Sequence, residues 1–231
     1  MSQPIAGLVF DKDGTLFDFR ISWGRWAQGF IADMAQDDVH ADRMGRAIGF
    51  DLATMHFAPD SPVIAGTAVE IVGALLPTLP NFNRDTLTEM IDEAAAKATM
   101  AEAVPLHPLL RQLRGAGLKL GVATNDSEAP AHAHLAAHGL TDYFDFIAGA
   151  DSGYGAKPGP GMCLAFAQAT GLDPDRVAMI GDSRHDLEAG RAAGMVCIAV
   201  LTGLASHADL APHADVVLPD IGALPGWLKL G

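Results

Sequence analysis

Short apolar segments alternate with helix-like segments through the second half of the chain, and this alternation constrains the fold more than any other feature. Segments with helical spacing separate the apolar runs, and most of them end at a glycine, which suits the left-handed position after a helix. Strands that alternate with helices are typical of a parallel α/β sheet, and the last short run is expected to close its edge. The strand-like runs are 118–124 (LKLGVAT), 145–150 (DFIAGA), 176–182 (RVAMIGD), 195–200 (MVCIAV) and 215–220 (DVVLPD).

A further strand-like run, at the start of 8–18 (LVFDKDGTLFD), is separated from the others by a region with almost no strand signal. We expect the first strand to pair with the later ones across that region, which makes the region an insertion. The sequence therefore predicts a Rossmann-like parallel α/β core with helices on both faces, formed by residues 1–16 and 104–231, and an inserted α-helical cap domain at 17–103. Within the insertion, helices are predicted at 22–35, 41–55, 66–79 and 83–103.

Composition and charge exclude several classes of function. The chain has 231 residues, 49% of them apolar, and a formal net charge of −13. With no long Lys/Arg cluster, it is not expected to bind nucleic acid or an anionic membrane surface. No window reaches the roughly 18 apolar residues of a membrane span, and Cys163 and Cys197 lack the spacing of a disulfide framework or a zinc site. We therefore expect a soluble cytoplasmic protein with reduced thiols.

Polar residues follow three of the predicted strands. Asp11 comes after the first run, Thr124 after LKLGVA, and Asp182 after AMIG. Ligands of open parallel sheets bind outside the carboxyl ends of the strands, so these three positions are expected to converge on one crevice. Each position also has a purely structural interpretation, as an Asp-Gly turn or as a helix cap.

Four short motifs occur in order along the chain: DKDGT at 11–15, ATND at 123–126, AKP at 156–158 and GDSRHD at 181–186. Together they resemble the motifs of haloacid-dehalogenase-superfamily phosphohydrolases. The position of the helical insertion resembles the first cap type of that family, as in its phosphoglycolate-phosphatase-like members. By this resemblance, an Asp at position 13 favours a phosphatase or a mutase, because the family's ATPases carry Thr there and its dehalogenases lack this second Asp.

The resemblance implies a role for each motif residue. Asp11 is expected to be the nucleophile that forms an aspartyl-phosphate, and Asp13 the general acid and base. Lys157 is expected to screen Asp11 from the incoming phosphate and to neutralise charge in the transition state. Phosphate oxygens are expected to bind Gly14, Thr124, Asn125 and Lys157. The resemblance further implies Mg²⁺, held by the carboxylates of Asp11 and Asp182, the backbone carbonyl of Asp13, and Asp186 directly or through water.

The expected activity is Mg²⁺-dependent hydrolysis of a small phosphorylated metabolite, with 2-phosphoglycolate as the best single candidate. Two alternatives stay open: a sugar-phosphate mutase of the β-phosphoglucomutase type, and a catalytically poor module that only binds a phosphorylated metabolite. The motifs contact only the phosphate, so they do not identify the substrate, and both a monomer and a homodimer remain open.

Weaker candidates lie outside the motifs. We expect His132, His134 and His138 to be partly exposed helix residues, and a stripe of Trp23, Trp26, Phe30 and Met34 to serve packing. Four further residues have two interpretations each. Arg20 and Arg25 either pair with a second anionic group of the substrate or are solvated, and Ser61 and Thr67 either reach the crevice or belong to turns.

Overall fold

The computed structural model describes residues 4–230, and its main element is a six-stranded sheet in the order β5-β4-β1-β6-β7-β8. Every neighbouring pair in this sheet is parallel. The predicted Rossmann-like α/β fold is confirmed, and the last predicted strand does form an edge. The strands are β1 (Gly7–Phe10), β2 (Phe50–Asp51), β3 (His56–Phe57), β4 (Lys119–Ala123), β5 (Phe146–Ala148), β6 (Val177–Gly181), β7 (Val196–Val200) and β8 (Val216–Leu218).

Helices surround the sheet, and several of them belong to the chain segment that connects β1 to β4. They are α1 (Phe19–Met34), α2 (Asp38–Ala47), α3 (Pro62–Ala65), α4 (Ala68–Leu75), α5 (Arg84–Ala96), α6 (Leu106–Gly115), α7 (Glu128–Ala137), α8 (Gly161–Thr170), α9 (Arg184–Ala192), α10 (His207–Leu210) and α11 (Leu224–Trp227). Among the described residues, no helix is long and apolar enough to cross a membrane.

The central strand β1 is buried on both faces, as its continuous apolar sequence requires. Because side chains alternate along a strand, Leu8 and Phe10 pack on one face with residues of α6 and α7. Val9 points to the other face, where it packs with residues of α8 and α9. Helices therefore cover both faces, and the sheet edge at the carboxyl ends of the strands is left for a site.

Helices α1 to α5, which we call the inserted helices, have an apolar cluster of their own. Trp23, Trp26 and Phe30 belong to it, each only 6% exposed, so these residues of the predicted stripe do pack. The rings of Trp26 and Phe30 stack with their centroids 5.6 Å apart. A separate apolar cluster supports the view that the insertion is a unit, although the boundaries at 17 and 103 stay a prediction.

The helix predicted at 41–55 is wrong in its second half. Helix α2 ends at Ala47, and Gly49 has a φ of +65°, a left-handed conformation that favours glycine and stops a helix. The chain then forms a two-stranded hairpin in which Phe50 pairs with Phe57, their rings 4.7 Å apart. The apolar residues after Gly49 thus serve cross-strand contacts instead of continuing a helical face.

Candidate active site

The carboxyl ends of β1, β4 and β6 bring the predicted site residues together. The Asp11 N–H still donates to Ile180 O at 2.8 Å, and the Thr124 N–H donates to Ala148 O at 3.0 Å, so both residues extend the sheet ladder. Their side chains face a crevice with an empty volume of about 610 Å³ between the sheet and the inserted helices. Of the predicted site residues, those that line the crevice are Asp11, Asp13, Thr124, Asn125, Lys157, Asp182 and Asp186.

Three buried carboxylates form the acidic part of the crevice. Asp11, Asp182 and Asp186 each offer an oxygen within 4.8 Å of the others. Burial, together with the negative charge of Asp186 and Asp13, raises the pKa of Asp11 to about 7, although Lys157 opposes the shift. Burial and the charges of Asp11 and Asp186 raise the pKa of Asp182 well above its usual value. A cluster of oxygen donors that is short of positive charge fits a hard divalent cation such as Mg²⁺.

Lys157 supplies positive charge at the centre of this cluster. Its Nζ donates to Asp11 Oδ1 at 2.5 Å, to Asp186 Oδ1 at 2.6 Å and to Ala123 O at 2.7 Å. Burial disfavours the ammonium, but Asp11 and Asp186 more than compensate and hold the pKa of Lys157 above its usual value. Lys157 therefore stays protonated beside the carboxylate that is the candidate nucleophile.

Asn125 fixes the loop that carries Lys157. Its Oδ1 accepts the Lys157 N–H at 2.8 Å, and its Nδ2 donates to Lys157 O at 2.9 Å. The same Nδ2 donates to Ala65 O at 2.8 Å, at the end of α3. The amide is thus occupied by protein groups, so a phosphate contact from Asn125 would have to come from its main chain. Thr124 differs, because its Oγ1 accepts the Asp126 N–H at 3.1 Å and keeps its own proton for a ligand.

Gly14 is not among the residues that line the crevice, and its contact with phosphate stays a prediction. Its N–H donates to Phe17 O at 2.7 Å, and its carbonyl accepts the Thr202 hydroxyl at 2.5 Å. It adopts a φ of +86°, and a Cβ atom there would lie 2.4 Å from Asp182 Oδ2. The absence of a side chain at Gly14 therefore allows the turn after β1 to pass close to Asp182.

The start of α9 combines a helix cap with the site. Ser183 is the N-cap, and Asp186 Oδ2 accepts both its N–H at 3.0 Å and its hydroxyl at 2.7 Å. The other oxygen of Asp186 faces Lys157. The structural interpretation of GDSRHD is therefore confirmed, and the same capping box orients the carboxylate that enters the acidic cluster.

Comparison with known proteins identifies the family. A model of the haloacid dehalogenase-like hydrolase family matches residues 5–194. The chain belongs to this family. A phosphoglycolate phosphatase of Chromobacterium violaceum is 35% identical over 234 residues, which cover 99% of both chains.

In other matches the aligned region spans about half the length of the relative. A phosphoglycolate phosphatase of Neisseria meningitidis, for example, is 38% identical over 118 residues, 50% of each chain. The solved structure of a HAD family hydrolase from Deinococcus radiodurans, with bound phosphate and sodium, is 25% identical and superposes with a TM-score of 0.66, covering 98% of this chain and 96% of that one.

Within the first motif, the structure shows a buried cation to which the sequence analysis assigned no role. Lys12 is fully buried, and its Nζ lies 2.7 Å from Asp13 Oδ2 and 3.2 Å from Asp126 Oδ2. It also lies 5.4 Å from the centre of the Trp23 ring. Burial opposes its charge, but Asp13 and Asp126 raise the pKa of Lys12 above its usual value. A lysine between two aspartates at the end of a buried strand was the available signal, because such a side chain needs acidic partners.

The prediction that His134 is partly exposed is wrong, whereas His132 is exposed and His138 is partly exposed as expected. His134 is buried, its Nε2–H donates to Ala95 O at 2.7 Å, and its Nδ1 accepts from Lys12 Nζ at 3.1 Å. Burial and the charge of Lys12 lower the pKa of His134 to about 4, so the ring is neutral. His134 thereby joins α7 of the core to the end of α5.

The four weak candidates with two interpretations each are not among the residues that line the crevice. Arg20 and Arg25 are exposed and are not among its lining residues, which favours the solvated interpretation. Ser61 Oγ donates to Ile48 O at 2.6 Å, and the Thr67 N–H is held by Glu70 in a capping box. The segment between Ser61 and Thr67 does reach the crevice, but through its apolar residues.

Proposed function

We propose that this chain is a Mg²⁺-dependent phosphatase that hydrolyses a small phosphomonoester through an aspartyl-phosphate on Asp11. One observation carries the proposal. The Asp11 carboxylate and the Lys157 ammonium are in contact at the carboxyl ends of the central strands, inside an acidic cluster of oxygen donors. A carboxylate nucleophile beside a fixed positive charge is the arrangement that phosphoryl transfer requires.

The other residues have complementary roles in this proposal. Asp13 protonates the departing alkoxide and then accepts a proton from the attacking water. Thr124 donates its hydroxyl to a phosphate oxygen, and Lys157 neutralises charge as the phosphoryl group moves to Asp11. Lys12 and His134 do not touch the crevice, since neither is among its lining residues. Lys12 positions the Asp13 carboxylate through their ion pair, and His134 in turn positions Lys12.

Asp11, Asp182 and Asp186 would hold the metal ion, with the Asp13 carbonyl as a further ligand. Bound there, Mg²⁺ supplies the positive charge that allows an anionic phosphate to approach an anionic nucleophile. The close packing of Gly14 against Asp182 supports this assignment, because the turn keeps the Asp182 carboxylate near that of Asp11.

We further propose that residues 17–103 act as a cap over the core of 1–16 and 104–231. The inserted helices have their own apolar cluster, and the crevice lies between them and the ends of the strands. A cap in this position excludes bulk water while the phosphoryl group moves to Asp11, and it contacts the alcohol part of the substrate.

The names of the relatives make 2-phosphoglycolate the first substrate to test. The contacts described above concern the phosphate, which all candidate esters share, so the chemistry does not depend on this choice. A mutase of the β-phosphoglucomutase type would use the same residues. It would interconvert isomers of a sugar phosphate and release little phosphate.

The test is phosphate release from a panel of small esters in the presence of Mg²⁺. We expect release by the wild type, none with EDTA, and only background release by Asp11→Asn. The matched control is Asp175→Asn, the same change at an exposed aspartate outside the crevice, which is expected to behave as the wild type. Undiminished turnover in Asp11→Asn would refute the nucleophile, and isomer interconversion without release would favour the mutase. Inactivity towards every ester would favour a binding module.

A further inference from the structure

The wall of the crevice opposite the strand ends is apolar, and we call it the roof. All of its residues come from the inserted helices and the loops between them. Roof residues contribute no charged side chain to the crevice. They are Trp23, Trp26, Val63, Ile64, Ala65, Gly66, Ala68, Ile71, Ile91 and Ala95.

The charges of the crevice all lie on the core side, and they are mostly negative. Five aspartates line it, against one lysine and His185. Lys157 is already in contact with Asp11 and Asp186. A second anionic group of a substrate would enter this acidic crevice, and no roof residue offers a cation to receive it. Placing an unpaired carboxylate in such a site is strongly unfavourable.

The roof does offer two neutral hydrogen-bond donors. The Nε1 atoms of Trp23 and Trp26 are buried and have no hydrogen-bond partner among the described residues. The two rings pack edge to face with their centroids 5.1 Å apart, and both line the crevice. A buried donor without a partner is destabilising by about 1–3 kcal/mol, so an acceptor on a bound ligand would gain from meeting one of them.

From the roof and its two donors, we propose that this site selects phosphomonoesters of uncharged, largely apolar alcohols that carry an oxygen acceptor, and that it selects against esters carrying a carboxylate. The inference rests on the proposed phosphatase function, and it names the substrate class of that site. The reaction is hydrolysis, in which water and the ester give the neutral alcohol and inorganic phosphate.

A matched pair of esters tests the selectivity. 2-Phosphoglycolate and its carboxamide, 2-phosphoglycolamide, have nearly the same size and differ in one negative charge. We expect kcat/KM to be about tenfold higher for the amide, a difference of about 1.4 kcal/mol, because no roof residue pairs with the carboxylate. Equal values, or a preference for 2-phosphoglycolate, would overturn the proposal. A preference for 2-phosphoglycolate that His185→Gln abolishes would also identify the cation that the proposal denies.

Variants of the roof test the effect of an added charge separately from the effect of its two hydrogen-bond donors. Ile64→Lys places a cation on the half-buried part of the roof, and Ile64→Met is its neutral control of similar length. We expect the lysine variant to shift the kcat/KM ratio towards 2-phosphoglycolate and the methionine variant to leave the ratio unchanged. Trp23→Phe and Trp26→Phe remove one N–H each and keep an aromatic ring. At least one of them is expected to raise KM for the amide by a larger factor than KM for benzyl phosphate, which has no acceptor beyond its phosphate group. If neither does, the donor part of the proposal is wrong.

Binding keeps the test independent of turnover. Calorimetric titration of Asp11→Asn with each ester, with Mg²⁺ present, is expected to give a lower Kd for the amide. Inactivity of the wild type together with this preference would refute the phosphatase function and support the selectivity. Turnover without this preference would support the phosphatase function and refute the selectivity.

Discussion

Lys12 lies behind the crevice and compensates two carboxylates that line it, those of Asp13 and Asp126. No water reaches its ammonium group, so its charge is stabilised by these acids and by the nitrogen of His134. Burial raises the pKa of Asp126 to about 6 even though Lys12 opposes the shift, which shows how costly the carboxylate would be without its partner. A cation in this place belongs to the stability of the site as much as to its chemistry.

Lys12→Met is therefore expected to lower the free energy of unfolding by about 3–5 kcal/mol, because two buried acids lose their partner. Lys97→Met is the control, since the Lys97 side chain is 79% exposed and pairs only with Glu93 on the same helix. That change is expected to cost no more than about 0.5 kcal/mol. Urea denaturation of the three proteins measures both values, and similar losses in the two variants would contradict the role assigned to Lys12.

Gly14 and Gly117 allow a comparison of strain with contact. Both have a positive φ, +86° and +83°, but a Cβ atom would meet Asp182 only at Gly14 and would find open space at Gly117. Gly117→Ala is expected to lose about 1–2 kcal/mol of stability from strain alone and to keep its affinity for Mg²⁺. Gly14→Ala is expected to lose more stability and to bind Mg²⁺ more weakly, because Asp182 must move. Denaturation and Mg²⁺ titration check this, and equal Mg²⁺ affinities would be the contrary result.

At the scale of elements, the strands were predictable and parts of the helices were not. The strands of the core are short apolar runs that end at polar residues, and burial on both faces leaves little ambiguity. The helix at 41–55 was predicted too long because Gly49, which ends it, was read as an interior residue. His134 was misplaced because α7 is rich in alanine, so its sequence does not show which face is buried.

Sequence patterns do not predict contacts between loops that lie far apart along the chain. The hydrogen bonds of Asn125 to Lys157 join residues 32 positions apart, and the one to Ala65 joins residues 60 positions apart. The motif residues could be listed from the sequence, and their convergence followed from the parallel sheet. That Asn125 holds the Lys157 loop, that the Gly14 turn packs against Asp182 and that Lys12 is fully buried could be learned only from the structure.

Asn125→Ala tests whether Asn125 holds the loop that carries Lys157. Loss of its three hydrogen bonds releases the Lys157 loop, and a displacement of about 1 Å is enough to lower kcat about 100-fold. The control is Asn81→Ala, the same change at an exposed asparagine outside the crevice, which is expected to keep wild-type kcat. Unchanged turnover in Asn125→Ala would show that the Lys157 loop is held by other contacts.

At the scale of the whole molecule, the sheet and the inserted helices meet around a group of buried acids. Side-chain hydrogen bonds that cross this boundary include those from Asn125 to Ala65, from Ser127 to Asp92 and from His134 to Ala95. The whole chain carries a formal net charge of −13, and the aspartates of the crevice contribute to it. A bound divalent cation would relieve that repulsion where it is strongest.

Mg²⁺ is accordingly expected to stabilise the folded chain. An ion that binds only the native state adds about 2.7 kcal/mol at a concentration one hundred times its Kd, which raises Tm. Asp182→Asn is expected to lose most of this Tm shift, and Asp175→Asn to retain it. Differential scanning fluorimetry with Mg²⁺ and with EDTA measures the shift, and an equal shift in Asp182→Asn and the wild type would contradict the metal assignment.

The central claim is that the phosphoryl group passes through Asp11, and covalent trapping tests it most directly. Wild-type enzyme quenched in acid during turnover of a reactive ester such as p-nitrophenyl phosphate, with Mg²⁺ present, is expected to carry one phosphoryl group. Peptide mass spectrometry is expected to locate that group on Asp11, and Asp11→Asn is expected to carry none. A phosphoryl group on any other residue, or steady turnover with no labelled enzyme at any quench time together with full activity of Asp11→Asn, would contradict the account.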